Sequence, residues 1–208
     1  MHHQGIGDIM IVAYRKQAAL MIVAFIAGNI SGWLFYNYLV EESLKHGLSN
    51  VYVYKGMIYS KSKQLKEAIE SYHTSHLYNS LNYEPLLGLA QAYSNANCDK
   101  LAIEYYSMAL KILSANNVSR VDRYIAQKEL AYIMLKQGEY KEAVEYLLAL
   151  EEEYEVEVEI LFYIGLAYSN LNNFSDSRKY LELYLSKAGK DSPNEMSVAA
   201  RDIISKNY

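Results

Sequence analysis

The chain has 208 residues, 51% of them hydrophobic, with a formal net charge of −4 and one cysteine. That is enough for one modest core plus one further element. The acidic balance, with lysines dispersed among glutamates, excludes the basic stripe that phosphate backbones demand, and Cys98 alone excludes an intramolecular disulfide.

Residues 1–17 form a short leading segment that ends near the basic pair Arg15-Lys16. The 23 residues Ala18–Val40 then carry no charge, long enough at about 1.5 Å per residue to cross a bilayer core of about 30 Å. Trp33, Tyr36 and Tyr38 lie toward its far end, where amphipathic rings favour the headgroup layer. The stretch reads as an uncleaved transmembrane helix. Phe25 spoils the small-x-small cleavage pattern that a signal peptide would place at Ala27, and the apolar run continues past any cut. Arg15 and Lys16 before the span, against Glu41-Glu42 after it, predict a cytoplasmic N-terminus. The remainder is then periplasmic or otherwise extracytoplasmic, attached to the inner or plasma membrane by a single pass. Within the span Gly28, Asn29 and Gly32 form a small-xxx-small patch suited to association with another transmembrane helix. Residues 41–48 read as a linker.

From 49 to 191 the pattern becomes periodic. Gly56, Ala90, Ala131 and Gly165 recur at steps of 34, 41 and 34 residues, in phase with Ala68, Ala102, Ala143 and Ser177. Tyr59, Tyr93, Met134 and Tyr168 keep the same phase, as do Tyr72, Tyr106, Leu147 and Leu181. Apolar residues at three- and four-residue steps make each segment an amphipathic helix, and Asn/Ser clusters such as Ser94–Asn97 and Asn170–Asn173 mark turns. The period predicts helix pairs over 49–82, 83–116, 124–157 and 158–191, with seven extra residues in the middle step. Ala102 is expected where two helices approach closely. Residues 192–208 read as a capping helix, with Ser192 as its N-cap and Pro193 in its first turn.

These motifs, above all Gly88–Tyr93 with Ala102–Leu110 and Gly138–Ala143, resemble the tetratricopeptide repeat (TPR) family. The resemblance implies an all-α solenoid of helical hairpins, here with the transmembrane and capping helices added. It further implies a concave groove lined by Val53, Met57, Leu87, Gln91, Lys128, Tyr132, Phe162 and Leu166, through which other proteins are bound. Lys55, Met134 and Ser177 depart from the family's usual residues. The family's carboxylate clamp is not reproduced, since Val53, Met57, Gly88, Ile125 and Glu129 stand in the corresponding places. An apolar groove of this kind suits a hydrophobic peptide segment.

Signals for chemistry are weak. Glu70, His73 and His76 share a helix face but lack a convergent further ligand, so no metal is expected. No nucleophile and base can be paired and no Gly-rich phosphate loop occurs, which predicts neither a catalytic residue nor a cofactor. The run Glu151–Glu159 reads as a solvated helix end, or else as a surface for a basic partner. The sequence therefore predicts a membrane-anchored interaction scaffold or chaperone-like adaptor in secretion or envelope complex assembly. A structural accessory subunit of a stable membrane complex is the alternative.

Overall fold

The computed structural model describes residues 30–116, 119–154, 157–188 and 194–206. Among them run α1 (Ile30–Lys61), α2 (Leu65–Tyr78), α3 (Glu84–Asn95), α4 (Asp99–Asn116), α5 (Arg120–Gln137), α6 (Tyr140–Glu153), α7 (Val158–Asn170), α8 (Phe174–Ala188) and α9 (Glu195–Lys206). The chain divides into two compact units that meet in sequence between Ala92 and Tyr93, inside α3. In the first unit α1 packs on α2; in the second α4 to α8 pack each on the next, and α9 lies on α8 and α7.

Each hairpin turn is built the same way. Lys63, Asn97, Gly138 and Asn172 all adopt left-handed backbone conformations, with φ of 58°, 56°, 79° and 58°. They keep the 34, 41, 34 spacing. At each turn the next amide reaches back over the helix end: Gln64 N–H to Tyr59 O, Cys98 to Tyr93, Glu139 to Met134 and Asn173 to Tyr168, all at 2.9 Å. This is a helix stop in which orphan carbonyls are satisfied by residues that have already left the helix. Asn and Gly tolerate the left-handed region; Lys63 is the residue that adopts it at a steric cost.

A second periodic device pairs a small residue on the first helix of a hairpin with a large one sixteen positions later. A Cβ placed on Gly56 would lie 2.6 Å from the Tyr72 ring, and one on Gly165 would lie 2.6 Å from Leu181 Cγ. Ala131 and Leu147 repeat the pairing inside the core of the second unit. Ala102 is wholly buried, as the spacing predicts. Ser177, where the family has alanine, donates to Gly165 O at 2.8 Å, so the exchange leaves no unpaired hydroxyl. Lys55 sets its ammonium 5.7 Å from the Tyr52 and Tyr59 ring centres, a use for the charge on an otherwise apolar helix.

The seven extra residues are taken up largely by lengthening two helices. α4 and α5 have 18 residues each, whereas α2 and α6 have 14 and α7 has 13. Ser119 starts α5 by accepting the Asp122 N–H at 3.1 Å.

Two sequence readings are corrected. Residues 41–48, read as a linker, lie inside α1; they hold no proline, Gly47 is their only glycine, and Lys45 ties to Glu41 at 2.8 Å and Glu42 at 3.5 Å along the helix. At the other end α9 is capped by Asn194, whose side-chain oxygen accepts Ser197 N–H at 2.7 Å and Tyr184 OH at 3.1 Å; Ser192 and Pro193 lie outside the described residues. The segment 18–29, with Gly28 and Asn29, also lies outside them, and Ile30–Val40, including Gly32, opens α1. No helix among the described residues is long and apolar enough to cross a membrane.

On α2 the imidazole of His76 is held below the usual histidine range, first by burial and then by the neighbouring His73. A histidine whose folded pKa lies below its unfolded value of 6.5 favours folding fully when both states are neutral and loses that contribution as pH falls. Protection factors of α2 amides, taken relative to the intrinsic exchange rate at each pH, are therefore expected to fall as pH is lowered from about 7.5 to 5.5, and less so in His76→Gln. An equal response in both proteins would place the pH sensitivity elsewhere.

Candidate partner-binding faces

The residues expected to line a groove fall in different surroundings. In the first unit Val53 is buried, Leu87 half-buried, Gln91 exposed, and Met57 exposed at 47%. In the second, Lys128, Tyr132 and Leu166 are half-buried, whereas Phe162 is only 6% exposed. Phe162 is thus a core residue: its ring lies 5.5 Å from those of Tyr163 and Tyr184, packed inward by α8.

Lys128 and Tyr132, expected in the groove, belong to an aromatic face whose other members, Tyr124 and Tyr163, the sequence pattern did not single out. Tyr124, Lys128 and Tyr132 succeed one another at four-residue steps on α5, and so share one side of it. Across from them α7 presents Tyr163, its ring centre 4.5 Å from that of Tyr132. Burial, then Tyr163 and Glu157, push the Tyr132 phenol well above its usual range, so it stays a hydrogen-bonding hydroxyl at any physiological pH. Lys128 Nζ reaches both oxygens of Glu157, at 2.9 and 3.0 Å, and lies 5.5 Å from the Tyr124 ring centre. Burial lowers the Lys128 pKa, but the bond to Glu157 more than compensates and leaves it raised. The face is therefore tyrosine-rich with one neutralised ion pair, rather than plainly apolar.

Three glutamates of the acidic run are engaged within the fold. Glu151 accepts from Tyr180 OH at 3.1 Å; burial first, and then this bond, pushes that phenol up to about 12. Glu153 pairs with Arg123, and Glu157 holds Lys128. Arg120 stacks 4.9 Å from the Tyr154 ring centre while Arg123 Nε donates to Tyr154 OH at 3.2 Å. Both arginines belong to the lengthened start of α5, so the extra turn clasps the end of α6. The insertion was visible in the sequence; its partners, some thirty residues away, were not. Among the described residues no group of three His, Cys, Asp or Glu side chains is placed to hold a metal ion, and Cys98 is a free, exposed thiol.

In part of its sequence and in its fold the chain is similar to tetratricopeptide repeat proteins. The family model described as "Tetratricopeptide repeat" matches residues 49–74. A TPR repeat-containing protein of Methanocaldococcus jannaschii is 36% identical over 59 residues, which are 28% of this chain and 18% of that protein, so the match spans a small part of its length. Among solved structures, MamA (residue 41 to the end) from Desulfovibrio magneticus RS-1 is similar with a TM-score of 0.60 and 17% identity, over 76% of this chain and 92% of that one. YrrB, described as a TPR protein with an unusual peptide-binding site, is similar with a TM-score of 0.57 and 16% identity, over 75% and 84% of the two chains.

Proposed function

We propose that this chain is a membrane-anchored, non-enzymatic scaffold or chaperone-like adaptor that holds a peptide segment of a partner protein on the α5–α7 face. The observation that carries the reading is the cluster Tyr124, Lys128, Tyr132 and Tyr163. Tyrosines offer large rigid contact area together with a hydroxyl, and they dominate many interaction hot spots. The peptide-binding site described for YrrB, a protein of similar fold, supports the same use of helical hairpins here. The uncharged stretch Ala18–Val40 supplies the anchor, and its basic leading flank puts the repeats outside the cytoplasm. In that setting the scaffold serves secretion or envelope complex assembly, and Gly28, Asn29 and Gly32 offer a contact to another transmembrane helix. As a fixed accessory subunit the chain would instead copurify with one complex at constant stoichiometry.

Capture of photo-crosslinked partners from native membranes tests the face. Tyr132→Ala is expected to weaken capture by about 1 kcal/mol or more, roughly fivefold, with helicity unchanged because Tyr132 is half-buried at the surface. Capture at the parental yield would remove this face from the mechanism. Protease added to spheroplasts should digest the repeats; protection would reverse the orientation.

A further inference from the structure

The charges of the α5–α7 face are unequally spent. Every cation of α5 is engaged: Arg120 donates to Glu153 O and stacks on Tyr154, Arg123 pairs with Glu153, Lys128 with Glu157 and Lys136 with Asp99. α7 contains neither lysine nor arginine. By contrast, Glu129 of α5 and Glu159 of α7 make no salt bridge or side-chain hydrogen bond among the described residues. Glu159 is exposed and stands one turn before Tyr163 on the same side of α7. Burial first, and then the Glu159 charge, raises the Tyr163 phenol, and Glu129 is among the charges that raise Tyr132. Both unpaired carboxylates therefore act on the tyrosines of the face.

Lys128 already shows how this surface takes a positive charge. Its ammonium lies 5.5 Å from the Tyr124 ring centre and 2.9 and 3.0 Å from the Glu157 oxygens. Tyr163 and Glu159 bring the same two groups, a phenol ring and a carboxylate, side by side, and α5 and α7 have no free cation left for them. Laying an apolar segment over Glu159 would strip water from an unpaired carboxylate, which is costly unless a counter-charge arrives. An acidic segment would meet Glu129 and Glu159 with like charge. We propose, on the peptide-binding reading of this face given above, that the segment held there is basic, with an arginine or lysine settling on the Tyr163 ring and its charge against Glu159.

The test uses the full chain, immobilised in detergent micelles, and a phage-displayed library of random nonapeptides as the probe. Retained clones are expected to carry arginine and lysine several-fold in excess over the unselected library, with aspartate and glutamate depleted. Glu159→Gln should cut that excess by at least about threefold, whereas Glu152→Gln, which removes the same charge from an exposed position at the end of α6, should leave it intact. An equal fall in both variants would mean attraction to the chain's overall charge of −4 and would overturn the Tyr163–Glu159 site; so would an excess that neither variant changes. Retained peptides that are apolar with no basic excess, and that are lost with Tyr132→Ala, would overturn the basic partner while leaving the peptide-binding face intact. Retention that Tyr132→Ala does not alter, or no retention at all, would remove the face and this proposal with it. Glu159 is exposed, so circular dichroism of Glu159→Gln should match the parent.

Discussion

Truncating Tyr72 to alanine is expected to destabilise the first unit by about 3–5 kcal/mol, the usual cost of deleting a buried aromatic side chain. The ring is 4% exposed and lies against two glycines at once: a Cβ at Gly56 or at Gly88 would fall 2.6 or 2.5 Å from it. Both helices have come close enough that only a missing side chain leaves room for the ring, and alanine at 72 would open a cavity that neither glycine can fill. The hydroxyl matters little, its bond to Ser60 Oγ being 3.4 Å long. Tyr72→Phe should therefore cost less than about 1 kcal/mol. Urea unfolding followed by hydrogen exchange in α1 and α2 would measure both, and an alanine variant as stable as the phenylalanine one would refute the packing role.

The second large effect is expected at Gly165 and Leu181, in the other unit. Leu181→Ala should cost about 2–5 kcal/mol, since its side chain is wholly buried. Gly165→Ala sets two terms against each other. Helix propensity favours alanine by about 1 kcal/mol, while the added methyl, 2.6 Å from Leu181 Cγ and 3.2 Å from its backbone nitrogen, overpacks the contact at about 1–3 kcal/mol. Combined, the two changes should cost less than their sum by at least about 0.5 kcal/mol, because the methyl then occupies space that leucine has vacated. Strict additivity in denaturant titrations would mean that the helices do not cross at this point.

These contacts explain which parts of the fold were legible in the chain. Gly56 with Tyr72 and Gly165 with Leu181 keep a fixed separation because one hairpin geometry is reused, and reuse writes the same residue sizes at the same intervals. The turns were legible for a related reason: Asn and Gly tolerate the left-handed backbone that Asn97, Gly138 and Asn172 adopt. Residues 41–48 were misread because a polar stretch after an apolar one looks like a break, although glutamates and a lysine at helical spacing sustain a helix as readily. The tyrosine face was harder to see. Tyr163 meets Tyr132, and Glu157 meets Lys128, across about thirty residues, and no periodicity within one helix records which side chain of the next will arrive opposite. Phe162 was placed in the groove by analogy of position, yet its neighbour Tyr163 faces Tyr132 while Phe162 turns toward Tyr184.

The four left-handed turns also bear on the order in which structure forms. Each stop motif closes through atoms only five residues apart, and the small-to-large pairs it sets up are sixteen apart, so a hairpin needs little loop-closure entropy and no distant segment to take shape. Chains whose contacts are this local collapse quickly and without committing to one starting point. During synthesis an emerging hairpin can therefore order before the next has been made.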